Sequence, residues 1–307
     1  MFRARFVPIV ITAILLSVSA FAGNTPSPSF TTIDNPGDPT FNQLLGINDN
    51  GVIVGYFGSG APGHPNQGYS TQGSYTTFTP ENLPGSVQTQ VTGINKTGTT
   101  VGFWAPTNAG GDMNFGFVRL SNGFTYLSVN NPLGAGAGGV DQLLGINASN
   151  IAVGFYIDGN GNSHGYTYTV GTGVYSPVTI ANSPSVAATG INAHNLICGF
   201  FLAPTGITKA FLKPLTGGTG TTFFVPGASV TQFLGVNDSG VAVGFYVDAA
   251  GLSHGLTYNP ANGEWNTVDN PIGVLGNTIN GINNSGDMVG FYTDANSNTH
   301  GMLVTGM

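Results

Sequence analysis

The stretch GVNDSGVAVGFY, residues 235–246, decides the fold of this 307-residue chain, because it is one of six similar copies. Each copy reads Gly-(Ile/Val)-Asn, a short polar turn, an apolar run that ends in Gly, and then aromatic residues. The copies begin at Gly46, Gly93, Gly145, Gly190, Gly235 and Gly281, which are 47, 52, 45, 45 and 46 residues apart. Repeats of this length are typical of propeller blades, which use about 40–50 residues for four strands.

The fifth repeat contains four short segments with the character of strands. They are predicted at 232–237, 241–247, 254–259 and 264–270. β-Branched and aromatic residues are enriched in them, and helical periodicity is confined to the first residues of the chain. Because one such sheet has two apolar faces, six sheets bury those faces by stacking around an axis. We therefore predict an all-β fold: a six-bladed β-propeller of four-stranded antiparallel blades.

The sixth repeat lacks a fourth strand, and a matching strand occurs at the other end of the chain. Residues 29–37, SFTTIDNPG, match WNTVDNP at 265–271 in type and order. We therefore predict that the N-terminal strand completes the last blade, which removes both free edges of the ring. The alternatives are an open solenoid or a pair of β-sandwiches. The displaced strand argues against a solenoid, which would need dedicated caps at both ends.

A single propeller domain is predicted over residues 29–307, after a short linker at 23–28. Its repeat units start near residues 43, 90, 142, 187, 232 and 278, three residues before each repeat glycine. About 280 residues in one closed ring suffice for a large core.

The first 22 residues have the pattern of a signal peptide. Arg3 and Arg5 precede an apolar stretch at 6–21, and small residues stand at the two positions that a signal peptidase reads, which predicts cleavage after Ala22. The apolar stretch is short for a membrane-spanning helix and no second one follows, so no membrane span is predicted in the mature chain. We expect a secreted or periplasmic protein that is soluble after cleavage near Ala22.

The mature chain is acidic and carries few cations. Two of the six Lys and Arg residues lie in the predicted signal peptide, so four remain against thirteen Asp and Glu, a net charge of −9. Four scattered cations cannot neutralise a run of phosphates, so nucleic acid is not an expected partner. The single cysteine, Cys198, stands where the other repeats have Val. This position predicts a small buried hydrophobe rather than a reactive thiol.

The repeats resemble the extracellular HAF-repeat family, which is named after a His-Ala-Phe-like tripeptide downstream of a Gly-Ile-Asn turn. The tripeptide positions here are His164-Gly165-Tyr166, Lys209-Ala210-Phe211, His254-Gly255-Leu256 and His300-Gly301-Met302. The chain departs from the family pattern at the middle Ala, usually Gly here, and at the His, replaced by Gln67, Phe115 and Lys209 in blades one, two and four. The resemblance implies export and a propeller-like array, and it implies no catalytic mechanism.

Four glutamines are the candidate binding residues. Three residues before the repeat glycine stand Gln43, Gln90, Gln142 and Gln232, with Ala187 and Thr278 in the other two repeats. Because the innermost strand of each blade starts there, we expect these amides to gather at one mouth of the central channel. Amides both donate and accept hydrogen bonds, which suits sugar hydroxyls or a peptide backbone. The alternative is that they bond to one another and to neighbouring blades.

Two loops are candidate calcium sites, because oxygen-bearing side chains alternate along them. The residues are Asp158, Asn160 and Asn162 in one loop and Asp294, Asn296 and Asn298 in the other. Each loop has one carboxylate, and Thr169 and Thr305 stand at the twelfth position, where a calcium loop places a bidentate acid. Calcium is therefore an alternative to a solvated Asx-rich turn. No other cofactor is expected.

The same loops pair an acid with a histidine six residues later. The pairs are Asp158 with His164, Asp248 with His254, and Asp294 with His300. An Asp that orients a His can prepare a general base, but these pairs recur in separate blades without a matching nucleophile. A repeated hairpin staple explains the periodicity better. We expect these loops and the Asp-Asn-Pro turns on the same face as the glutamines.

The sequence favours an exported, non-catalytic propeller that binds a polymer or a protein, such as an extracellular polysaccharide or a cell-envelope protein. The alternative is a propeller enzyme, a hydrolase, lyase or lactonase, with a metal or an Asp/His site at the axial channel. A purely structural surface element is the third hypothesis, for which tight self-association would be the sign.

Overall fold

The computed structural model describes residues 27–107, 113–134 and 139–306. The predicted signal peptide and the linker as far as residue 26 lie outside the described residues. The described chain forms 24 β-strands, which are arranged as six four-stranded antiparallel blades. A single parallel bridge, between Thr208 and Val230, joins blades four and five into one eight-stranded sheet.

In each of the first three blades, the strands follow one another in chain order from the axis outward. Blade one contains β2 (Asn42–Ile47), β3 (Ile53–Phe57), β4 (Gln67–Thr71) and β5 (Phe78–Pro80). Blade two contains β6 (Gln88–Ile94), β7 (Thr100–Ala105), β8 (Phe115–Arg119) and β9 (Tyr126–Val129). Blade three contains β10 (Asp141–Ile146), β11 (Ile151–Ile157), β12 (Ser163–Thr169) and β13 (Val174–Val178).

Blades four and five repeat this order, and blade six takes its outer strand from the start of the chain. Blade four contains β14 (Val186–Ile191), β15 (Leu196–Leu202), β16 (Thr208–Pro214) and β17 (Thr221–Phe223). Blade five contains β18 (Val230–Val236), β19 (Ala242–Val247), β20 (Ser253–Asn259) and β21 (Glu264–Thr267). Blade six contains β22 (Gly276–Ile282), β23 (Met288–Thr293), β24 (Thr299–Thr305) and β1 (Ser29–Thr32).

The N-terminal strand closes the ring as predicted. β1 pairs with β24 in antiparallel register, from Ser29 opposite Thr305 to Thr32 opposite Met302. The predicted six-bladed propeller, with its last blade completed by the N-terminal strand, is therefore confirmed.

The core is divided among the six blade interfaces. Each of six apolar clusters combines buried side chains from two neighbouring blades. At the closing interface, Ile33 and Val289 of blade six pack with Leu44 and Tyr69 of blade one. No blade has a core of its own, so burial of apolar surface requires the neighbours on both sides.

The inner strands approach one another most closely at the first glycine of each repeat. A Cβ atom added to Gly46 would lie 3.2 Å from the Cα atom of Gly93, and one added to Gly281 would lie 3.2 Å from the Cα atom of Gly46. The same approach, at 3.0 to 3.2 Å, links Gly93, Gly145, Gly190, Gly235 and Gly281 in turn. Six glycines thus form a closed waist around the axis.

The recurring Asn of each repeat joins neighbouring blades, a role that the sequence analysis missed. Asn147 accepts hydrogen bonds from the amides of Ser149 and Ile151 through Oδ1, and its Nδ2 donates to the carbonyl of Asn192 in the next blade. Five such bonds, each from an Asn Nδ2 to the carbonyl of the corresponding Asn in the next blade, link successive blades. They join Asn48 to Asn95 at 3.0 Å, Asn95 to Asn147 at 3.1 Å, Asn147 to Asn192 at 3.1 Å, Asn192 to Asn237 at 2.8 Å and Asn237 to Asn283 at 3.3 Å. Blade six reaches blade one differently, since the amide of Asn284 donates to Asp49 Oδ1 at 2.9 Å.

The second recurring glycine of each repeat packs against the inner strand of its own blade. A Cβ on Gly154 would lie 1.9 Å from the carbonyl oxygen of Gln142, which belongs to the inner strand of the same blade. The pairing of these two strands shifts between Leu143 and Gly145, as in a β-bulge. The bulge pushes the inner carbonyl against its neighbour, so the position admits no side chain.

The residue before each waist glycine alternates between apolar and polar around the axis, which divides the ring into three pairs of blades. The residue before the waist glycine is Leu45, Leu144 or Leu234 in odd blades and Thr92, Thr189 or Asn280 in even blades. Each even-blade side chain donates to a carbonyl of the next blade: Thr92 to Leu143 at 2.8 Å, Thr189 to Phe233 at 2.8 Å and Asn280 to Leu44 at 3.1 Å.

The Asn contacts between blades predict the effect of a nearly isosteric substitution. Asn147→Asp keeps the acceptor that orders its own turn but places a carboxylate oxygen against the buried carbonyl of Asn192. We expect the free energy of unfolding to fall by roughly 1–3 kcal/mol, measured by thermal or urea unfolding. Ser149→Ala, an exposed change in the same turn, is the control and should unfold like the wild type. Equal stability of the two variants would contradict the role of the amide.

Candidate functional site

The two ends of the propeller carry different chemistry, because all inner strands run in the same direction. They start at the end that we call the glutamine face, defined by Gln43, Gln90, Gln142 and Gln232. They finish at the asparagine face, defined by the Gly-(Ile/Val)-Asn turns. The Asp/His loops connect the second and third strands, and the Asp-Asn-Pro turns connect successive blades. Both therefore open on the glutamine face, as the sequence analysis predicts.

An axial recess of about 170 Å³ opens on the glutamine face. Gln43, Gln90 and Phe103 lie at its rim, and Thr92, Thr189 and Asn280 alternate with three leucines below them. The recess is thus lined by amides, hydroxyls and apolar groups. Gln142 and Gln232 are half-buried and do not line it.

Three of the four glutamines have partners within the protein. Tyr56 Oη donates to Gln43 Oε1 at 2.9 Å, Gln90 Nε2 donates to Asn66 Oδ1 at 2.9 Å, and Gln142 Nε2 donates to Asn114 Oδ1 at 2.8 Å. These bonds hold the side chains in fixed positions, yet Gln43 keeps its Nε2 and Gln90 its Oε1 without a partner among the described residues. Each amide therefore retains one group that can meet a ligand.

Aromatic residues stand opposite the six inner-strand positions of this face. Gln90 pairs with Phe103, Gln142 with Phe155 and Gln232 with Phe245, and the other blades pair Gln43 with Tyr56, Ala187 with Phe200 and Thr278 with Phe291. All five phenylalanines keep part of their surface accessible. Amides beside partly exposed aromatic rings can combine hydrogen bonds with contact to an apolar surface.

The same face collects exposed apolar side chains. Of the nine exposed large apolar side chains in the described part of the chain, seven stand in its connections: Val87, Met113, Leu133, Ile207, Ile272, Val274 and Leu275. The last three occupy one short connection between blades five and six. Clustered apolar exposure beside polar groups is typical of interaction surfaces.

A second recess, of about 290 Å³, opens on the asparagine face. Its two carboxylates, on Asp49 and Asp238, both accept hydrogen bonds from Nδ2 of Asn284, at 3.0 and 2.7 Å. Asp238 Oδ1 also accepts the amide of Ala193, at 2.8 Å. These contacts join blades four, five, six and one, so both carboxylates take part in holding the ring together.

Two histidines of the glutamine face lie between two carboxylates each. His254 places Nδ1 2.6 Å from Asp269 and Nε2 3.4 Å from Asp248. His300 places Nδ1 2.7 Å from Asp34 and Nε2 3.4 Å from Asp294. The contacts with Asp248 and Asp294 are those that the sequence predicts. The second carboxylate, from the fourth strand, was missed.

The contact between His254 and Asp269 is one case of a cross-strand pair that we call the clasp. It joins the first residue of the tripeptide motif to the residue 15 positions later, except in blade six, where the partner is Asp34. The two residues of the clasp change together from blade to blade. In blade one, Gln67 accepts a hydrogen bond from Asn82 at 2.9 Å, and in blade four the Lys209 Nζ lies 5.5 Å from the ring centre of Phe224. The spacing of 15 was present in the sequence and could have revealed the pair.

Titration behaviour follows from these contacts. Burial opposes the charged form of His254, but the hydrogen bonds and charges of Asp269 and Asp248 outweigh it and raise the pKa of the imidazole. The hydrogen bond from His164 lowers the pKa of Asp158 to about 2. Burial raises the pKa of the Cys198 thiol to about 12, so this residue is the inert hydrophobe that its repeat position predicts.

The two candidate calcium loops are ordered by their own acids. Asp158 Oδ1 accepts the amides of Asn160 and Asn162, and Asp294 Oδ1 accepts those of Asn296 and Asn298, at 2.8 to 3.0 Å. Asp248 makes the same turn with Ala250 and Leu252, which have no oxygen in their side chains. The turn therefore does not require the asparagines, and calcium binding stays a prediction.

No protein-family model matches the sequence, and no curated protein matches it. The resemblance to HAF repeats accordingly stays a prediction.

Solved structures share the fold at low sequence identity. TolB from Acinetobacter baumannii superposes with a TM-score of 0.55 at 9% identity, over 82% of this chain and 63% of TolB, less than two thirds of its length. AofleA from Arthrobotrys oligospora gives 0.54 at 12%, over 90% and 86% of the two chains. A mutant of the Aleuria aurantia lectin, in complex with Fucα1-6GlcNAc, gives 0.50 at 10%, over 89% and 93%. These similarities show a common propeller fold.

Within the described residues, no helix has the length and apolar character needed to cross a membrane.

We expect part of the thermal stability to titrate with His254. Because its pKa is raised in the folded protein, its contribution is complete below the unfolded-state pKa of about 6.5 and is lost as the pH rises through the folded value. The melting temperature of the wild type should therefore fall, relative to that of His254→Gln, as the pH rises above about 6.5. Parallel pH profiles of the two proteins would contradict this.

Proposed function

We propose that this protein is an exported, non-catalytic propeller that binds an extracellular polysaccharide or a cell-envelope protein through its glutamine face. The observation that carries the proposal is the axial recess, where fixed amides and hydroxyls stand beside a partly exposed phenylalanine ring. Such a lining recognises neutral polar ligands, because it offers donors and acceptors without a concentrated charge.

Two further observations support binding at this face. The exposed apolar connections surround the recess, which suits a ligand that extends beyond the axis, as a polymer or a protein surface does. The mature chain has four cations against thirteen acids, so anionic polymers are repelled rather than attracted. One propeller with the same fold, the Aleuria aurantia lectin, is known in complex with a fucose-containing disaccharide. That likeness concerns the fold and makes a carbohydrate a reasonable first probe.

The enzyme alternative would place a metal or an Asp/His site at the axis. The recess on the glutamine face is instead lined by amide, hydroxyl and apolar side chains, and the Asp/His pairs lie in the outer loops of separate blades.

Calcium binding at the loops of Asp158 and Asp294 has a direct test of its own. If either loop holds calcium, a chelator should lower the melting temperature and added calcium should restore it. Changing both acids, in Asp158→Asn/Asp294→Asn, should remove that response. A melting temperature that is insensitive to both additions would contradict calcium binding.

The binding proposal predicts a face-specific loss of affinity. The double variant Gln43→Ala/Gln90→Ala removes the two amides at the rim of the recess, and we expect at least about a tenfold weaker binding to the polysaccharide or envelope fraction that the wild type retains. Retention on immobilised neutral glycans and on cell-envelope extracts measures it.

Gln72→Ala is the matched control, since Gln72 is an exposed amide on the opposite face whose Nε2 donates to the carbonyl of Asn50. It should bind like the wild type, and all three proteins should melt cooperatively. Equal binding by the double variant and the control would place the ligand elsewhere.

A further inference from the structure

A separate cleft lies on the glutamine face between blades three and four. It has a volume of about 240 Å³ and is more enclosed than either axial recess. The end of β11, the start of β12, the strand β13 and the connection at 179–186 form its walls. None of the four glutamines lines it.

The cleft coincides with the one histidine of the tripeptide motif that lacks a second carboxylate. By the 15-residue spacing of the clasp, His164 should meet residue 179, which is Thr179 rather than Asp. Among the described residues, the only polar partner of His164 is Asp158, 2.8 Å from Nε2. The side chain of His164 is 41% exposed, against 19% for His254 and 17% for His300. Blade three has thus exchanged a closed clasp for an accessible imidazole.

Aromatic rings surround this imidazole. Tyr156 stacks on His164 with ring centres 5.0 Å apart and an interplanar angle of 24°. Tyr166 and Tyr175 also line the cleft, with ring centres 5.6 Å apart. Tyr175 Oη donates to the carbonyl of Asn130 at 3.0 Å, which fixes the orientation of its ring. Tyr166 is buried and its Oη donates to Asp141, so the accessible aromatic surface of the cleft comes from Tyr156 and Tyr175.

Neutral polar groups complete the lining. Ser163, Ser176 and Thr179 contribute hydroxyls, whereas the Ser183 hydroxyl is already bonded to the carbonyls of Ser185 and Leu202. His164 is the only histidine, lysine, arginine or acid that lines the cleft. In the neutral imidazole, Nε2 carries the proton donated to Asp158, so Nδ1 is left as an acceptor. The cleft thus offers one acceptor, several hydroxyls and apolar faces, without a salt-bridge partner for a charged ligand.

We propose that this cleft binds one uncharged sugar ring of an extracellular glycan. A sugar ring has an apolar C–H face that suits the tyrosines and a rim of hydroxyls that suits Nδ1 of His164 and the serines. The volume is below the roughly 300–1,000 Å³ of pockets that hold drug-sized ligands, which fits a single ring rather than a longer segment. The inference rests on the proposed binding function, and it adds a ligand class and a second site.

The repeats themselves supply the variants that test this. Thr179→Asp introduces the residue that blade five has at this position, so the new carboxylate should engage Nδ1 of His164 as Asp269 engages His254 at 2.6 Å. His164→Phe introduces the residue of blade two and keeps an aromatic ring while removing the acceptor. Thr222→Asp, an exposed change in the fourth strand of blade four, adds the same charge away from the cleft.

The probes are an immobilised panel of neutral oligosaccharides and, in solution, glucose, galactose, mannose and fucose, with affinities measured by calorimetry. We expect Thr179→Asp and His164→Phe each to weaken glycan binding at least about tenfold, with melting temperatures close to that of the wild type. Thr222→Asp should bind like the wild type. A free sugar should compete with the panel for the wild type.

The outcomes separate this inference from the proposed function. If the wild type binds glycans and both cleft variants bind equally well, the cleft assignment is overturned and binding at the recess stands. If the wild type retains envelope proteins but no glycan, the ligand class assigned to the cleft is wrong while the binding function stands. If it retains neither, both are overturned.

Discussion

The close approach of six inner strands at the axis is the constraint on which the rest of this propeller depends. At the glycine waist the backbones meet with no room for a Cβ atom, and this closeness brings the Asn side chains within reach of the next blade. Around this ring, leucines alternate with Thr or Asn side chains, each of which donates to a carbonyl of the next blade. The core clusters between blades then fill the wider space farther out.

The repeat made most of the fold predictable, because a period of about 46 residues and a strand pattern with a displaced end allow few architectures. What the sequence could not reveal was the direction of contacts. Asn fits a tight turn on local grounds alone, so its second bond, from Asn147 to Asn192 one blade away, has no signature within a single repeat. The sequence likewise indicates a packing role for Gly154. Only the β-bulge shows that a side chain there would clash with the inner strand of the same blade.

The candidate site was predictable in place rather than in detail. The direction of the strands places the glutamines and the Asp/His loops on one face. Gln43 lines the recess, whereas Gln142, which donates to Asn114, does not line it, and the sequence gives no sign of this difference. The blade-three cleft arises from a difference between repeats, namely Thr179 in place of Asp269. This difference lies outside the shared repeat motif and becomes visible only at the residue 15 positions after the histidine.

Closure by β1 has a consequence for the order in which this molecule assembles. β1 is made long before its partner β24, so the contact of Asp34 with His300 spans 266 positions and must await the synthesis of β24. Until then, Ser29–Thr32 is an unpaired edge, and its shortness and polar composition limit its tendency to recruit other chains. Until β24 is made, nascent molecules are thus open arcs in which blade six is incomplete, and the cooperative stability of the closed ring comes only once β24 has been made.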